Sequence, residues 1–220
     1  MEFKNVYVIS TPVVNENLCI LRSKYTDTMG VKCATRQITN VLLYEASKNL
    51  PQVDTEVETP LKKFVTKSID KSLRVIISPI LRAGLVFTDS SSDMLPRAEI
   101  RHIGMYRDEE TLKPVWYYNK LPKRFEYPEK TYVYLTDPML ATGNSLLETI
   151  RMYEEKGLDV SHIRCVCLIA APEGIQNIKN YYPDIEIFVA AIDEGLNENG
   201  YILPGLGDAG DRILNTIKGE

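Results

Sequence analysis

The feature that most constrains this chain is an alternation, running from Leu73 to Asp193, of short apolar runs with segments of helical period. LRVIISPIL, TYVYLTD, HIRCVCLIAAP and IEIFVAAID are apolar at consecutive positions, so both sides of each strand must be covered. Between them SLLETIRMYEEKG and EGIQNIKNYYP carry apolar side chains at helical spacing, and a helix is expected after Arg82-Ala83-Gly84, to about Met94. Strands buried on both faces and alternating with helices predict an α/β fold. Its doubly wound, mostly parallel sheet carries helices on both faces and is joined by right-handed crossovers. AEIRHIGMYRD is expected as a further strand. Ahead of the alternation, ENLCILRSKYT and ATRQITNVLLYEASKNL predict two helices between Asn15 and about Leu50. Pro51 stops the second, and TEVETP alternates like a half-exposed edge strand. The terminal segments are left to form a small lobe.

In such sheets ligands sit at the carboxyl ends of the strands. Four ends qualify: SPILRAG, MYRDEE, LTDPMLATGNS and AIDEGLNENG. The richest is Tyr132–Ser145, where an apolar strand delivers Asp137 and Thr142-Gly143-Asn144-Ser145 opens a helix. Unpaired amides and the helix dipole there suit a phosphate monoester. Asp137 suits vicinal sugar hydroxyls or a cation carried by the ligand. A plain βα turn, with Asn144 or Ser145 capping the helix, fits the same residues. Arg82 and Arg107 end other strands and converge on the same crevice if those strands are neighbours; arginine there could grip a diphosphate bidentately. Each fits a surface ion pair equally well.

Gly205 to Gly210 spells G-x-G-x-x-G, yet ten residues follow it, far short of a dinucleotide-binding unit. What YILPGLGDAGDR offers is a glycine-rich rim of backbone amides and carbonyls able to read a flat heterocycle by its edge. RDEETLKPVWYYNKLPKRFEYPEK has no helical period; VWYYNKLP reads as one arm of a hairpin, and the whole as a lid or a solvated insertion.

Charge and composition exclude other classes. The balance of 26 basic against 30 acidic residues, net −4, disfavours bulk nucleic-acid binding. Two histidines cannot build a multi-histidine zinc site, and no G-x-S-x-G elbow occurs. The four cysteines form no C-x-x-C pair. Neither a signal peptide nor a membrane-length apolar run is present, so a soluble cytoplasmic protein without membrane contact is expected.

Taken in order, SPILRAGL, HIGMYRDEETLKPVWYYNKLP, TDPMLATGNS and GYILPGLGDAGDR resemble the uracil phosphoribosyltransferases, a branch of the type I phosphoribosyltransferases, from about Tyr25 onward. The resemblance implies a single domain over 1–220, with a flexible hood over about 107–130 and a base-recognition segment over 200–212. It implies transfer of phosphoribosyl from 5-phosphoribosyl 1-diphosphate (PRPP) to uracil, giving UMP and diphosphate. Arg82, Arg107, Asp137 and Asp208 would act in catalysis. PRPP would be held by Arg82, Arg107, Asp208 and the run Asp137, Pro138, Met139, Leu140, Ala141, Thr142, Gly143, Asn144 and Ser145. Uracil would be read by Ile202, Gly207, Asp208 and Ala209. Mg²⁺ would arrive on PRPP, with no protein-held metal. A GTP effector and a homodimer or higher homo-oligomer are also implied. Pro138 stands where many type I enzymes carry a second acid, as the uracil branch does, and Lys123–Lys130 is longer than usual. The alternatives are a pyrimidine-responsive RNA-binding regulator on the same fold, transfer to a purine, and a nucleotide sensor without turnover.

Overall fold

The computed structural model describes residues 3–107 and 114–216. The chain begins with β1 (Val6–Val8), α1 (Pro12–Arg22) and α2 (Thr28–Ser47), then β2 (Gln52–Glu58) and β3 (Lys63–Ile69). The alternating part follows as β4 (Arg74–Leu81), α3 (Phe87–Met94), β5 (Glu99–Ile100), β6 (Ile103–Arg107), β7 (Pro114–Asn119), β8 (Thr131–Thr136), β9 (Met139–Leu140) and α4 (Asn144–Glu155). It ends with β10 (Ile163–Ala170), α5 (Pro172–Tyr181), β11 (Glu186–Ile192), β12 (Gly195–Leu196), β13 (Ile202–Leu203) and α6 (Ala209–Leu214).

The main sheet runs β1-β11-β10-β8-β4-β6-β7, with β5 beside β4 and β9 beside β10. Its pairings are parallel except β6 with β7, which form an antiparallel hairpin, so VWYYN is the expected arm. All eight residues of β10 are buried. Alternation sends Val166 and Leu168 to the side covered by α1 and α2, and Cys165 and Cys167 to the side covered by α4 and α5. The doubly wound fold is therefore present.

Three local boundaries differ from expectation, each for a visible reason. SKYT is not helical, because the Asp27 side chain accepts the Gly30 amide at 2.7 Å and starts α2 at Thr28. AEIRHIGMYR is two strands, interrupted where the Arg101 guanidinium reaches Glu99 and the Lys120 carbonyl. TEVETP is one arm of the hairpin β2–β3, in register from Gln52 opposite Ile69 to Glu58 opposite Lys63. β3 and β1 escaped sequence reading, since KFVTKSI is mostly exposed and VYV is a short edge strand.

Of the expected hood, 108–113 lie outside the described residues. Its second half is anchored: Phe125 is buried, stacks on Tyr153 at 5.8 Å and donates its amide to the Lys156 carbonyl. The terminal lobe forms where α1 meets the segment from Asp193 to Leu214.

Candidate active site

At the carboxyl edge of the sheet, β8 ends at Thr136, Asp137 and Pro138 bulge away, and β9 returns beside Ile169 and Ala170 of β10. The Pro138 carbonyl accepts the Leu168 and Ile169 amides at 3.1 and 3.2 Å, and Ala171 donates to the Leu140 carbonyl at 2.8 Å. This tethered detour aims Asp137 at a cleft. The carboxylate accepts the Met139 amide at 3.3 Å. Burial pushes its pKa up to about 7, with that weak hydrogen bond opposing.

α4 starts with Gly143 as its N-cap at φ +78° and no side-chain cap, so the capped-turn alternative is not what forms. Asn144 instead turns to Asn177, whose Nδ2 donates to its Oδ1 at 2.9 Å. A hollow of about 80 Å³ lies at this helix start, lined by Leu140, Thr142, Gly143 and Ser145 among others. Uncapped amides bordering a small polar hollow make an anion receptor.

The hollow opens into a cleft of about 330 Å³, with Asp137, Met139 and Ala141 common to both. Arg82, Ala83 and Pro138 complete one wall, and Gly200, Tyr201, Gly207, Asp208, Ala209 and Gly210 form the other. β4 pairs with both β8 and β6, so the strands ending in Arg82, Asp137 and Arg107 are neighbours in that sense. The Arg107 backbone pairs with Pro114, and its side chain lies outside the described residues.

The second wall owes its shape to two arginines. Arg22 donates to Asp193 Oδ2 at 2.8 Å and to the Gly205 carbonyl at 3.0 Å, while the Gly205 amide donates to Asp193 Oδ2 at 2.9 Å. Arg212 donates to the carbonyls of Leu21, Leu206 and Ser23. Gly207 has φ +71°, and a Cβ there would meet nothing within 4 Å, so the position faces open space. Asp208 caps α6 by accepting the Asp211 amide at 3.0 Å.

Among the residues singled out from sequence, Arg82, Asp137, Pro138, Met139, Ala141, Gly207, Asp208 and Ala209 line the cleft, and Leu140, Thr142, Gly143 and Ser145 line the hollow. Asn144 faces Asn177. Ile202 packs into the core at 2% exposure, which leaves its backbone as the part available to a base. Ala83, Gly200, Tyr201 and Gly210 also line the cleft; they fall inside motifs read from the sequence, which gave none of them an individual role. Sequence reasoning missed Arg22, Asp193 and Arg212, which carry no local signature.

The family model for uracil phosphoribosyltransferases matches residues 8–216. Curated uracil phosphoribosyltransferases are similar throughout: that of Dictyoglomus thermophilum is 48% identical over 211 residues, covering 96% of this chain and 99% of the relative. That of Lachnoclostridium phytofermentans is 44% identical over 212 residues, with the same coverage. The solved AQ2163 protein of Aquifex aeolicus superposes with TM-score 0.87 at 32% identity, covering 97% of this chain and all of that one. An adenine phosphoribosyltransferase of Trypanosoma brucei, at TM-score 0.58 and 12% identity over 90% of this chain and 88% of its own, shares the fold. The RNA-binding alternative finds no support in these likenesses, and the chain belongs to the uracil phosphoribosyltransferase family.

Proposed function

We propose that this protein transfers the phosphoribosyl group of PRPP to N1 of uracil, releasing diphosphate and forming UMP. The observation that carries the reading is that a phosphate-sized hollow at a helix start opens into a cleft whose far wall is a backbone-rich glycine loop. The 5′-phosphate sits at the start of α4, held by amides and by the Thr142 and Ser145 hydroxyls. Asp137 accepts from the ribose hydroxyls. Arg82, together with Arg107, neutralises the departing diphosphate as the anomeric C–O bond breaks with oxocarbenium character. Mg²⁺ carried on PRPP would offset diphosphate charge, and Asp137 and Asp208, carboxylates that line the cleft, would face a cation delivered in that way. Backbone groups around Ile202, Gly207, Asp208 and Ala209 read the uracil edge. Cytosine inverts a donor and an acceptor, leaving buried groups unpaired at a cost of about 2 kcal/mol each. Uracil N1 loses its proton late, with Asp208 or water assisting weakly.

The same reading extends to assembly and setting. The β2–β3 hairpin stands apart from the main sheet with Val53, Val57, Leu61, Phe64 and Val65 exposed, and a second copy of the chain is the partner proposed to cover it. A second cleft of about 350 Å³ is the place proposed for a nucleotide effector such as GTP; Lys32 and Arg36 line it beside Asp89, 3.7 Å from Arg36, and the apolar Leu85, Val86, Ile213 and Leu214. Free thiols at the exposed Cys19 and Cys33 suit the reducing cytoplasm, and among the described residues no helix is long and apolar enough to cross a membrane.

The test is UMP formation from labelled uracil, with and without PRPP, Mg²⁺ and GTP, and with cytosine and hypoxanthine as competitors. PRPP-dependent UMP that resists both competitors supports the reading. A folded protein that binds PRPP and forms no product defeats it, and inhibition by hypoxanthine redirects it to purine transfer.

A further inference from the structure

Behind the cleft, the first turn of α5 touches both of its halves. Toward the phosphate hollow, Gly174 and the loop meet backbone to backbone. A Cβ on Gly174 would run into the Ala141 carbonyl, and one on Gly143 would lie 2.7 Å from the Gly174 carbonyl. Asn177, one turn on, donates through Nδ2 to the Thr142 carbonyl at 2.9 Å and to Asn144 Oδ1 at 2.9 Å. Toward the base wall, Glu173 Oε1 accepts the Leu196 amide at 3.0 Å and fills the space beside Gly195, where a Cβ would sit 2.8 Å away. Leu196 pairs with Ile202, and the turn between them, closed by Asn197, presents Gly200 and Tyr201 to the cleft. None of these three α5 residues lines the cleft or hollow.

The geometry points to the first two turns of α5 as the brace that sets the spacing between the phosphoribosyl and base subsites, with Asn177 positioning the phosphate loop and Glu173 positioning the base hairpin. The inference rests on the functional reading above. Its physical content is asymmetric. Asn177 fixes a loop carbonyl and the side chain of the first α4 residue, so its loss loosens the amide cradle. Glu173 adds a side-chain acceptor to a two-residue ladder that is also held by the Glu194 amide on the Leu203 carbonyl at 2.8 Å and the Asn197 amide on the Tyr201 carbonyl at 2.9 Å. Its loss should therefore shift the base hairpin and not unfold it. The two residues lie on successive turns of one short helix, yet each should speak to a different substrate.

Asn177→Asp keeps the shape but replaces two N–H donors with acceptors facing acceptors. By calorimetry it should weaken PRPP binding about tenfold, while uracil KM at saturating PRPP moves less than about twofold. Glu173→Ala should do the reverse, raising uracil KM about fivefold with PRPP affinity within about twofold. Glu173→Gln should restore uracil KM, since its amide oxygen still accepts the Leu196 N–H. A merely structural role would lower the melting temperature and shift both substrates together. That outcome, or wild-type PRPP affinity in Asn177→Asp, overturns the inference. A wild-type protein that binds PRPP but makes no UMP defeats the functional reading, and the calorimetric contrast at Asn177 still decides this one. A wild-type protein that binds no PRPP overturns both.

Discussion

The two walls of the cleft are built by opposite strategies. The phosphate loop is local: strand, bulge, return strand and helix follow one another within Thr131–Glu155, and the anion receptor is a property of the helix start itself. The base wall is assembled from afar. Its turn at Gly205 is held by Arg22 and Asp193, and Arg22 lies 171 residues from its carboxylate partner in sequence. A phosphate needs amides and a dipole, which any well-placed helix supplies. A planar base needs donors and acceptors at fixed positions, and only tertiary contacts can hold an irregular loop to that tolerance.

Breaking each wall should therefore look different. The largest effect is expected from Asp137→Asn, which keeps the shape of the local wall and removes its charge. Turnover should fall about a thousandfold with folding intact, read from initial rates beside a melting curve. Wild-type-like turnover would remove Asp137 from the chemistry. Gly207→Val attacks the distant wall: it puts a branched side chain at φ +71° and projects it into open space at the cleft. Uracil KM should rise about a hundredfold while PRPP affinity holds, and unaltered uracil affinity would refute the edge-reading loop. Arg22→Ala strikes the scaffold of that wall. It strands the Asp193 carboxylate, 3% exposed, without its cation. A loss of about 3 kcal/mol is expected in denaturant unfolding, with about a tenfold rise in uracil KM and little change for PRPP. Equal losses for both substrates would mean that the walls are not separable.

The same contrast explains what the sequence made legible. The apolar runs announced β4, β8, β10 and β11 because strands buried on both faces leave a continuous signal. Asp137 and Thr142–Ser145 were legible because their chemistry depends on residues within one βα turn. Asp208, Gly207 and Ala209 could be singled out only through resemblance, for a glycine-rich turn says nothing by itself about what holds it open. Arg22, Asp193 and Arg212 look like ordinary charged residues until the fold brings them together. Gly174 illustrates the limit well: inside PEGI it reads as a poor helix former, and the nearby Ala141 carbonyl that requires it belongs to another element.

The smallest effect sharpens the comparison by titration. Burial pushes Asp137 up to about 7, so in the free protein near neutral pH its carboxyl is partly protonated. Ribose hydroxyls donate to the ionised form, which makes PRPP favour the carboxylate and release a proton on binding. PRPP affinity should then rise with pH, by up to about tenfold per unit below pH 7, and level off above it. Stability should run the other way. A carboxyl whose folded pKa lies above its unfolded value contributes stability that is complete below about pH 4 and lost as pH rises through about 7. PRPP phosphates also titrate in this range, so the comparison that decides is Asp137→Asn, which keeps their ionisation and lacks the carboxyl. Calorimetry in two buffers of different ionisation enthalpy should show a proton released by the wild type and absent from the variant. Uracil binding to the distant wall, measured in the same way, should show no such difference between the two proteins. If the variant releases the same proton, the carboxyl at the end of β8 does not meet the sugar, and the local wall recognises phosphate alone.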